Sequence, residues 1–351
     1  MSKHLFGLVV TPYGTAANNR GENEGNITTL QKILWNGDMH TTVSAEAIRW
    51  AMRYFWQRQG IAVNRKWNDE TSDHEWQDKM WLPWTDPDGS GKDKETYADD
   101  DVLGFMLAEA ADSDGSDTGD GLKKEKSELD GRFKALSKDE QKAEAGKGLK
   151  NQIKELDEKI KILSKGTCDK RRGALEVSRA ISLAPFAGDI TFNAKSGVKS
   201  NTSLYGTEVH ATRYQYGIAL TPESLRVPSR ALDVVDAITS LSEVAGNHSR
   251  FLYDFAPDAV IYRWTDDFAP RMLYGFSAAD NQPLTIPEIL GKIAQGDINP
   301  SELVVGASTQ TTLHPEVIKQ LQAAGVKVLG VKAAADEVKR RMHEDLKIAA
   351  S

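Results

Sequence analysis

The segment at residues 65–172 most constrains how this chain of 351 residues can fold, because it interrupts the pattern from which a core is built. Residues 65–120 hold 5 Lys and Arg against 17 Asp and Glu, whereas residues 122–172 hold 16 against 10. The first stretch has no clean apolar period and indicates a surface insertion, while residues 122–165 predict a charged helical hairpin. The main core is therefore expected to combine residues 1–64 with residues 173–351.

The composition excludes several classes of protein. A net charge of −7 argues against a simple basic nucleic-acid binder, but the acidic stretch masks basic segments on both sides of it. No apolar run approaches the ~20 residues that span a bilayer, and the first residues show no signal-peptide pattern. Because Cys168 is the only cysteine, an intramolecular disulfide and a cysteine-built zinc site are excluded. We expect a cytoplasmic protein with no membrane partner.

Outside the insertion, strand-like and helix-like segments follow one another. In chain order they are a strand at 5–11, a helix at 43–59, strands at 175–185 and 214–220, a helix at 231–245, and strands at 259–264 and 272–276. A short helix is also expected near residues 101–111, inside the insertion. The order strand, helix, strand, strand, helix, strand predicts an α+β fold with a ferredoxin-like core. RNA-recognition domains use that same core.

The common catalytic and metal-binding motifs are missing. There is no phosphate-binding lysine loop, no Gly-x-Ser-x-Gly elbow and no His-Glu-x-x-His, and the seven histidines lack metal-ligand spacing. Residues 86–91 begin like a calcium loop, but Tyr97 stands at position twelve, where a bidentate Glu is needed. Residues 112–120 lack the glycine at position six. We therefore expect solvated acidic turns, with no metal, no cofactor and no catalytic residue.

Two stretches near the N-terminus carry side chains that suit a nucleic-acid backbone. Asn19 and Arg20 follow the first strand, and such groups can hold phosphates or 2′-hydroxyls. Arg49 and Arg53 are spaced i, i+4 on one helix face, where each guanidinium can meet a phosphate. The alternatives are a polar loop without a ligand, and a solvated helix face on which Glu46 pairs with Arg49.

A further group of candidates lies in a stretch rich in Gly, Lys, Asn and Ser. Its members are Lys195, Lys199, Asn201, Tyr205 and Arg213. Basic side chains together with an aromatic are typical of a protrusion that touches a backbone and places an apolar residue between bases. The alternative is an ordinary hairpin loop.

Taken together, these segments resemble the CRISPR-associated Cas-seven family of the DevR type, which occurs in type I-B and related systems. The matching pieces are LFGLVV at 5–10, NRGENEGN at 19–26, WNG at 35–37, VSAEAIR at 43–49, VSRAIS at 177–182 and TEVHATRYQYG at 207–217. They span residues 5 to 217 in the expected order, and their combination is more specific than any single piece.

The resemblance implies a right-hand shape, in which an RRM-like palm carries finger insertions and a thumb protrusion. It places the palm at 1–64, 173–187 and 213–351, the fingers at 65–172 and the thumb at 188–212. It also implies that several copies stack along a guide RNA (crRNA) and support recognition of a target DNA strand. The other Cascade partners would be the large subunit, the subunit that caps the crRNA 5′ end and the subunit that processes pre-crRNA.

Carried onto this chain, the resemblance adds RNA contacts to those drawn from the residues. The full expected set is Asn19, Arg20, Asn26, Ser44, Arg49, Arg53, Arg179, Lys195, Lys199, Asn201, Tyr205 and Arg213. The expected function is non-catalytic binding of crRNA in a type I CRISPR surveillance complex.

Two other functions stay open at this point. The DevR name suggests a transcriptional or developmental autoregulator, which would need specific duplex binding, although the sequence has no helix-turn-helix signature. A metal-dependent ribonuclease would use the acidic loops, and its activity would be abolished by Asp86→Ala, Asp88→Ala or Asp112→Ala.

Overall fold

A computed structural model describes residues 2–17, 19–78, 96–108, 117–137, 144–165, 168–194, 204–242, 244, 252–279 and 282–347. The chain divides into two units. Met1–Leu103 and Gly173–Ser351 form the first unit, and Gly104–Arg172 form the second. Among the residues that the structure describes, no helix is both long and apolar enough to span a bilayer.

The helices of the described residues are α1 (Ala45–Arg58), α2 (Ala98–Val102), α3 (Asp117–Ala135), α4 (Glu144–Lys165), α5 (Arg230–Thr239), α6 (Pro287–Gln295), α7 (Pro315–Ala323) and α8 (Val331–Leu346). The first strands are β1 (His4–Val10), β2 (Gly14–Ala16), β3 (Asn19–Glu24), β4 (Ile27–Leu30), β5 (Lys32–Trp35), β6 (Asp38–Val43), β7 (Arg65–Asn68), β8 (Asp73–Trp76) and β9 (Gly104–Ala108). The later strands are β10 (Cys168–Arg172), β11 (Leu175–Val177), β12 (Ala180–Ser182), β13 (Asp189–Ala194), β14 (Leu204–Thr212), β15 (Tyr214–Leu220), β16 (Ala259–Thr265), β17 (Leu303–Ala307) and β18 (Lys327–Leu329).

A nine-stranded sheet organises the first unit, with the order β18-β17-β16-β1-β15-β12-β6-β5 and with β11 also paired to β15. Its centre contains β1, α1, β12, β15, α5 and β16 in chain order. The four strands of this set lie in the order β16-β1-β15-β12, and each neighbouring pair is antiparallel. A ferredoxin-like core has this strand order, in which the first and third strands lie between the fourth and the second. The α+β prediction is confirmed.

Each face of this sheet buries its own core. Along β1, Leu5 and Val9 belong to one hydrophobic cluster, whereas Phe6, Leu8 and Val10 belong to the other. The first cluster includes apolar residues of α1, α5 and α8, and the second includes residues of α6 and α7. A strand that is covered on both faces needs a continuous apolar run, which explains the sequence of β1.

The second unit contains the helical hairpin that the sequence predicted. Helices α3 and α4 are joined by an ion pair between Lys126 Nζ and Asp157 Oδ1 at 2.5 Å. The strands β9 and β10 of the same unit form a two-stranded antiparallel ribbon.

Two expected elements differ from the prediction. The helix expected at 101–111 is α2, which ends before Gly104, where a positive φ of 71° turns the chain into β9. The strand expected at 272–276 is absent, because Arg271 and Tyr274 have φ of 56° and 55° and so cannot be extended.

The boundary of the insertion also differs from the expectation. We expected the insertion to begin at residue 65, but residues 65–103 belong to the first unit, and the second unit begins only at Gly104.

Candidate nucleic-acid interface

The start of α1 lies directly after β6, and Ser44 caps it. The Ser44 hydroxyl accepts a hydrogen bond from the Ala47 amide at 3.2 Å, and Glu46 lies in the first turn. Other amides of the first turn keep the partial positive charge of a helix N-terminus, which favours anions. The cap explains why a Ser occupies this position without requiring any ligand.

Arg49 lies one turn further along the same helix. Its Nη1 is 3.9 Å from the Glu46 carboxylate, and its side chain is 29 % exposed. Among the residues that the structure describes, its buried Nε has no hydrogen-bond partner. The pair that the sequence offered as an alternative therefore exists, but it is long and leaves part of the guanidinium unused.

Arg179 comes to the same place from the segment between β11 and β12. Its Nη1 donates to Gln31 Oε1 at 2.8 Å and to Thr42 Oγ1 at 3.3 Å. Both bonds use the same nitrogen, Nη1, whereas the guanidinium has five N–H donors on three nitrogens. Donors on the other nitrogens therefore remain for an anion.

Arg179 lies beside the start of α1, because its neighbour Ala180 pairs with Val43, the residue before Ser44. The charges of both arginines act on Glu46 in the first turn. Its pKa is lowered chiefly by a hydrogen bond from its own backbone amide, then by Ser44 and by the charges of Arg49 and Arg179, against the opposing effect of burial. The two guanidiniums and the helix N-terminus therefore all favour a negative charge near Glu46, and the same field can hold a phosphate.

Arg53 does not belong to this group. It is 8 % exposed, and its Nε donates to Asp99 Oδ2 at 3.0 Å. Burial and the neighbouring Arg65 lower its pKa to about 10, which leaves it charged at neutral pH. The structure places this side chain in the interior because α2 supplies a buried carboxylate, so we withdraw it from the expected RNA contacts.

The segment after β1 is a strand rather than the expected loop. Asn19 and Arg20 begin β3, which pairs with β4, and their side chains lie outside the described residues. Asn26 turns the chain between these strands. Its side-chain amide donates to the Leu204 carbonyl at 3.1 Å, and its own carbonyl accepts from Gly206 N at 2.9 Å. This residue therefore connects β4 to β14 within the protein.

The stretch expected to form a thumb contains the antiparallel pair β13–β14. Lys195, Lys199 and Asn201 lie outside the described residues. Tyr205 is on β14 and is 38 % exposed. Sequence reasoning missed Phe192, which is 68 % exposed on β13 and which the alternation in residues 189–194 could have indicated.

Arg213 lies just before β15 and contacts the protein itself. Its Nη2 is 3.6 Å from Asp258 Oδ2, and Nη1 donates to the Gln282 carbonyl at 3.5 Å. The side chain is mostly buried, and an RNA contact at this position stays a prediction.

Comparison with known proteins decides the family. No protein-family model matches the chain. The chain is 42 % identical over 352 residues to CRISPR-associated protein Cas7/Cst2/DevR of Myxococcus xanthus, which covers 97 % of this chain and 98 % of that protein. The chain belongs to the Cas7/Cst2/DevR family. The resemblance drawn from the sequence segments is thereby confirmed.

Two solved structures are also similar to the chain. One is described as "CRISPR RNA-guided surveillance complex, pre-nicking", and the other as "CRISPR RNA-guided surveillance complex". They cover 92 % of this chain, with TM-scores of 0.45 and 0.44 and identities of 10 % and 13 %. These scores are too low to carry an argument, so membership of the Cas7/Cst2/DevR family rests on the sequence relative.

The structure shows where the segments that suggested the Cas7/Cst2/DevR family lie. VSAEAIR contains the cap and first turn of α1, and VSRAIS runs from the end of β11 through β12. These segments are more than a hundred residues apart in sequence, yet they lie side by side because Ala180 pairs with Val43. Sequence reasoning missed Gln31 and Thr42, which orient Arg179, because polar residues near an edge strand carry no distinctive local signal.

The metal-dependent alternative concerned two acidic loops, at residues 86–91 and 112–120. The structure holds no group of three or more His, Cys, Asp or Glu residues that could bind a metal, within the parts of the chain that it describes. Asp86, Asp88 and Asp112 lie outside those parts.

Proposed function

We propose that this chain is a crRNA-binding backbone subunit of a type I CRISPR surveillance complex. Several copies would line up along one guide RNA and support recognition of the target DNA strand. The observation that carries the proposal is the placement of Arg49 on α1 and of Arg179 beside the start of that helix, where Ala180 pairs with Val43. The chain that holds them belongs to the Cas7/Cst2/DevR family.

The chemistry of this group of residues fits a guide-binding subunit. Guanidiniums and helix amides hold phosphates and carry no base specificity. A guide RNA needs that kind of contact, since base pairing between guide and target reads the sequence and the protein has only to hold the backbone.

The proposal includes the partners that the sequence indicated. They are crRNA, the target strand, further copies of the chain, the large subunit, the subunit at the crRNA 5′ end and the subunit that processes pre-crRNA. We assign no catalytic step to the chain. Specific binding of a DNA duplex would favour the autoregulator instead.

The first test is to purify the protein from cells that carry a CRISPR array and to extract and sequence its nucleic acid. We expect large assemblies that contain RNA enriched in repeat–spacer sequence. A small species that is free of nucleic acid and also ignores added guide would contradict the proposal.

The arginines can be tested by the salt dependence of RNA binding. Arg49→Ala and Arg179→Ala should each weaken binding and flatten the plot of log affinity against log salt by about 0.7 per lost phosphate contact on a single strand. Arg20→Ala should weaken binding and flatten the plot in the same way. Arg58→Ala is the matched control, since this exposed residue lies in the last turn of the same helix. Equal slopes for Arg179→Ala and the control would remove Arg179 from the interface.

A further inference from the structure

Trp35 and Tyr274 form an aromatic pair at the edge of the large sheet. Their ring centroids are 5.0 Å apart, and the planes meet at 57°. Trp35 ends the edge strand β5, and Tyr274 lies in the irregular segment after β16. Both side chains are half-buried, so each ring keeps some surface in contact with solvent.

The position of Tyr274 is held by several contacts. Its hydroxyl donates to the carbonyl of Arg179 at 2.9 Å. The preceding Leu273 packs closely over Gly217 of β15. A Cβ atom added to Gly217 would be only 2.3 Å from Leu273 Cδ2. A positive φ in a residue as bulky as Tyr274 is costly and persists only where the surroundings enforce it. The ring is therefore pre-positioned beside Arg179.

The rings and the cation share one face of the sheet. Along β5, Trp35 and Ile33 alternate with Lys32 and Leu34, and Gln31 continues the alternation on the Trp35 side. Because Gln31 accepts the hydrogen bond from Arg179 Nη1, the guanidinium lies on the same face as the aromatic pair.

The surroundings of the pair point to a ligand that is both aromatic and anionic. Aromatic rings offer a stacking surface to a base, while Arg179 and the α1 N-terminus attract its phosphate. Leu34 and Met39, which are exposed on the same hairpin, are cross-strand partners on the opposite face and so do not join the aromatic pair.

We propose that Trp35 and Tyr274 stack one nucleobase of a bound single strand, whose phosphate is held by Arg179. This inference rests on the proposed function, because the same RNA supplies the base and the phosphate. The hairpin of β5 and β6 would then contact a base of any identity, since every base has a π-face.

The test compares two oligomers of equal length at one salt concentration, a uridine RNA and an abasic ribose-phosphate chain. Trp35→Leu should weaken binding of the uridine oligomer by about 5- to 150-fold, the range for loss of one stacked base. It should change binding of the abasic oligomer by less than about twofold. Trp35→Phe should restore most of the loss. Phe268→Leu is the matched control, because Phe268 is an 81 % exposed aromatic on the turn after β16, and it should change neither affinity.

A second measurement uses the wild-type protein and needs no variant. RNA that carries 5-bromouridine is irradiated in the complex, and the cross-linked residues are identified by mass spectrometry. Trp35 or Tyr274 should be among them. A cross-link map without either residue, or a Trp35→Leu variant that weakens both oligomers equally, would overturn the stacking proposal.

The two proposals fail in different ways. If the wild-type protein binds neither oligomer, both are wrong. If it binds both oligomers equally well, the chain binds RNA but does not use the aromatic pair.

Discussion

At the scale of single residues, Glu46 has opposing effects on folding and on binding. A carboxylate in the first turn of a helix is stabilising, and Glu46 is held there by its own backbone amide and Ser44. The same carboxylate lies near Arg49 and Arg179, so it competes with any phosphate that they bind. Its side chain is 75 % exposed, which leaves it able to move aside.

Glu46→Gln should therefore bind RNA more tightly and fold less stably. We expect affinity to rise about twofold, because one repulsive charge is removed, and the free energy of unfolding to fall by about 0.3–1 kcal/mol, the usual value of a charge at a helix end. RNA titration and urea unfolding measure the two effects. The control is Glu70→Gln on an exposed turn, and a fall in RNA affinity for Glu46→Gln would contradict the placement of the phosphate.

At the scale of elements, the five-residue helix α2 ties together parts of the first unit. Asp99 accepts hydrogen bonds from Arg53 Nε at 3.0 Å, from Asn64 N at 2.7 Å and from Arg65 N at 3.1 Å. Asp101 accepts from Arg230 Nη1 at 2.8 Å, so α1, β7 and α5 meet through one short helix. All three aspartates of this helix are buried, because their partners come from distant segments.

Asp99→Asn should strongly destabilise the first unit. It removes the carboxylate that pairs with Arg53 and leaves Arg65 with Asp100 alone. Breaking a buried ion pair typically costs about 3–5 kcal/mol. Urea unfolding should show a lower midpoint with an unchanged slope. Asp69→Asn, on an exposed turn before β8, is the control and should change the midpoint little. A change of less than about 1 kcal/mol for Asp99→Asn would show that the buried pair contributes no more than a surface one.

At the scale of the whole molecule, the second unit interrupts the first at one point. Leu103 and Gly173 end the two segments of the first unit and lie side by side, since a Cβ on Gly173 would be 2.4 Å from the Leu103 carbonyl carbon. A short connection can therefore replace residues 104–172 without stretching the chain.

A chain in which a short Gly-Ser linker replaces residues 104–172 should still fold and bind RNA. All the residues of both hydrophobic clusters of the large sheet come from the first unit. Unfolding should therefore stay cooperative in circular dichroism. The salt dependence of RNA binding should match that of the full chain. If the slope of log affinity against log salt were smaller by several units in the shortened chain, the basic residues of 122–172 would be shown to contact the RNA.

Much of the architecture follows from the sequence alone. The apolar run of β1, the cap at Ser44, the periodicity of α3 and α4 and the order of strands and helices all depend on neighbouring residues, and so does the likeness to the Cas7/Cst2/DevR family. Local pattern is sufficient there because capping and periodic burial act within a few residues. The contacts expected from Arg20, Lys195, Lys199 and Asn201 are still predictions.

Only the tertiary structure decided which polar residues share a site. Arg49 and Arg53 look equivalent in sequence, yet one lies at the helix surface and the other is buried against Asp99. Arg179 joins Gln31 and Thr42, and Tyr274 joins Trp35, across long separations in the chain. Such pairings are set by strand order and by packing between distant elements, and no local pattern carries that information because the partners are not neighbours until the sheet has formed.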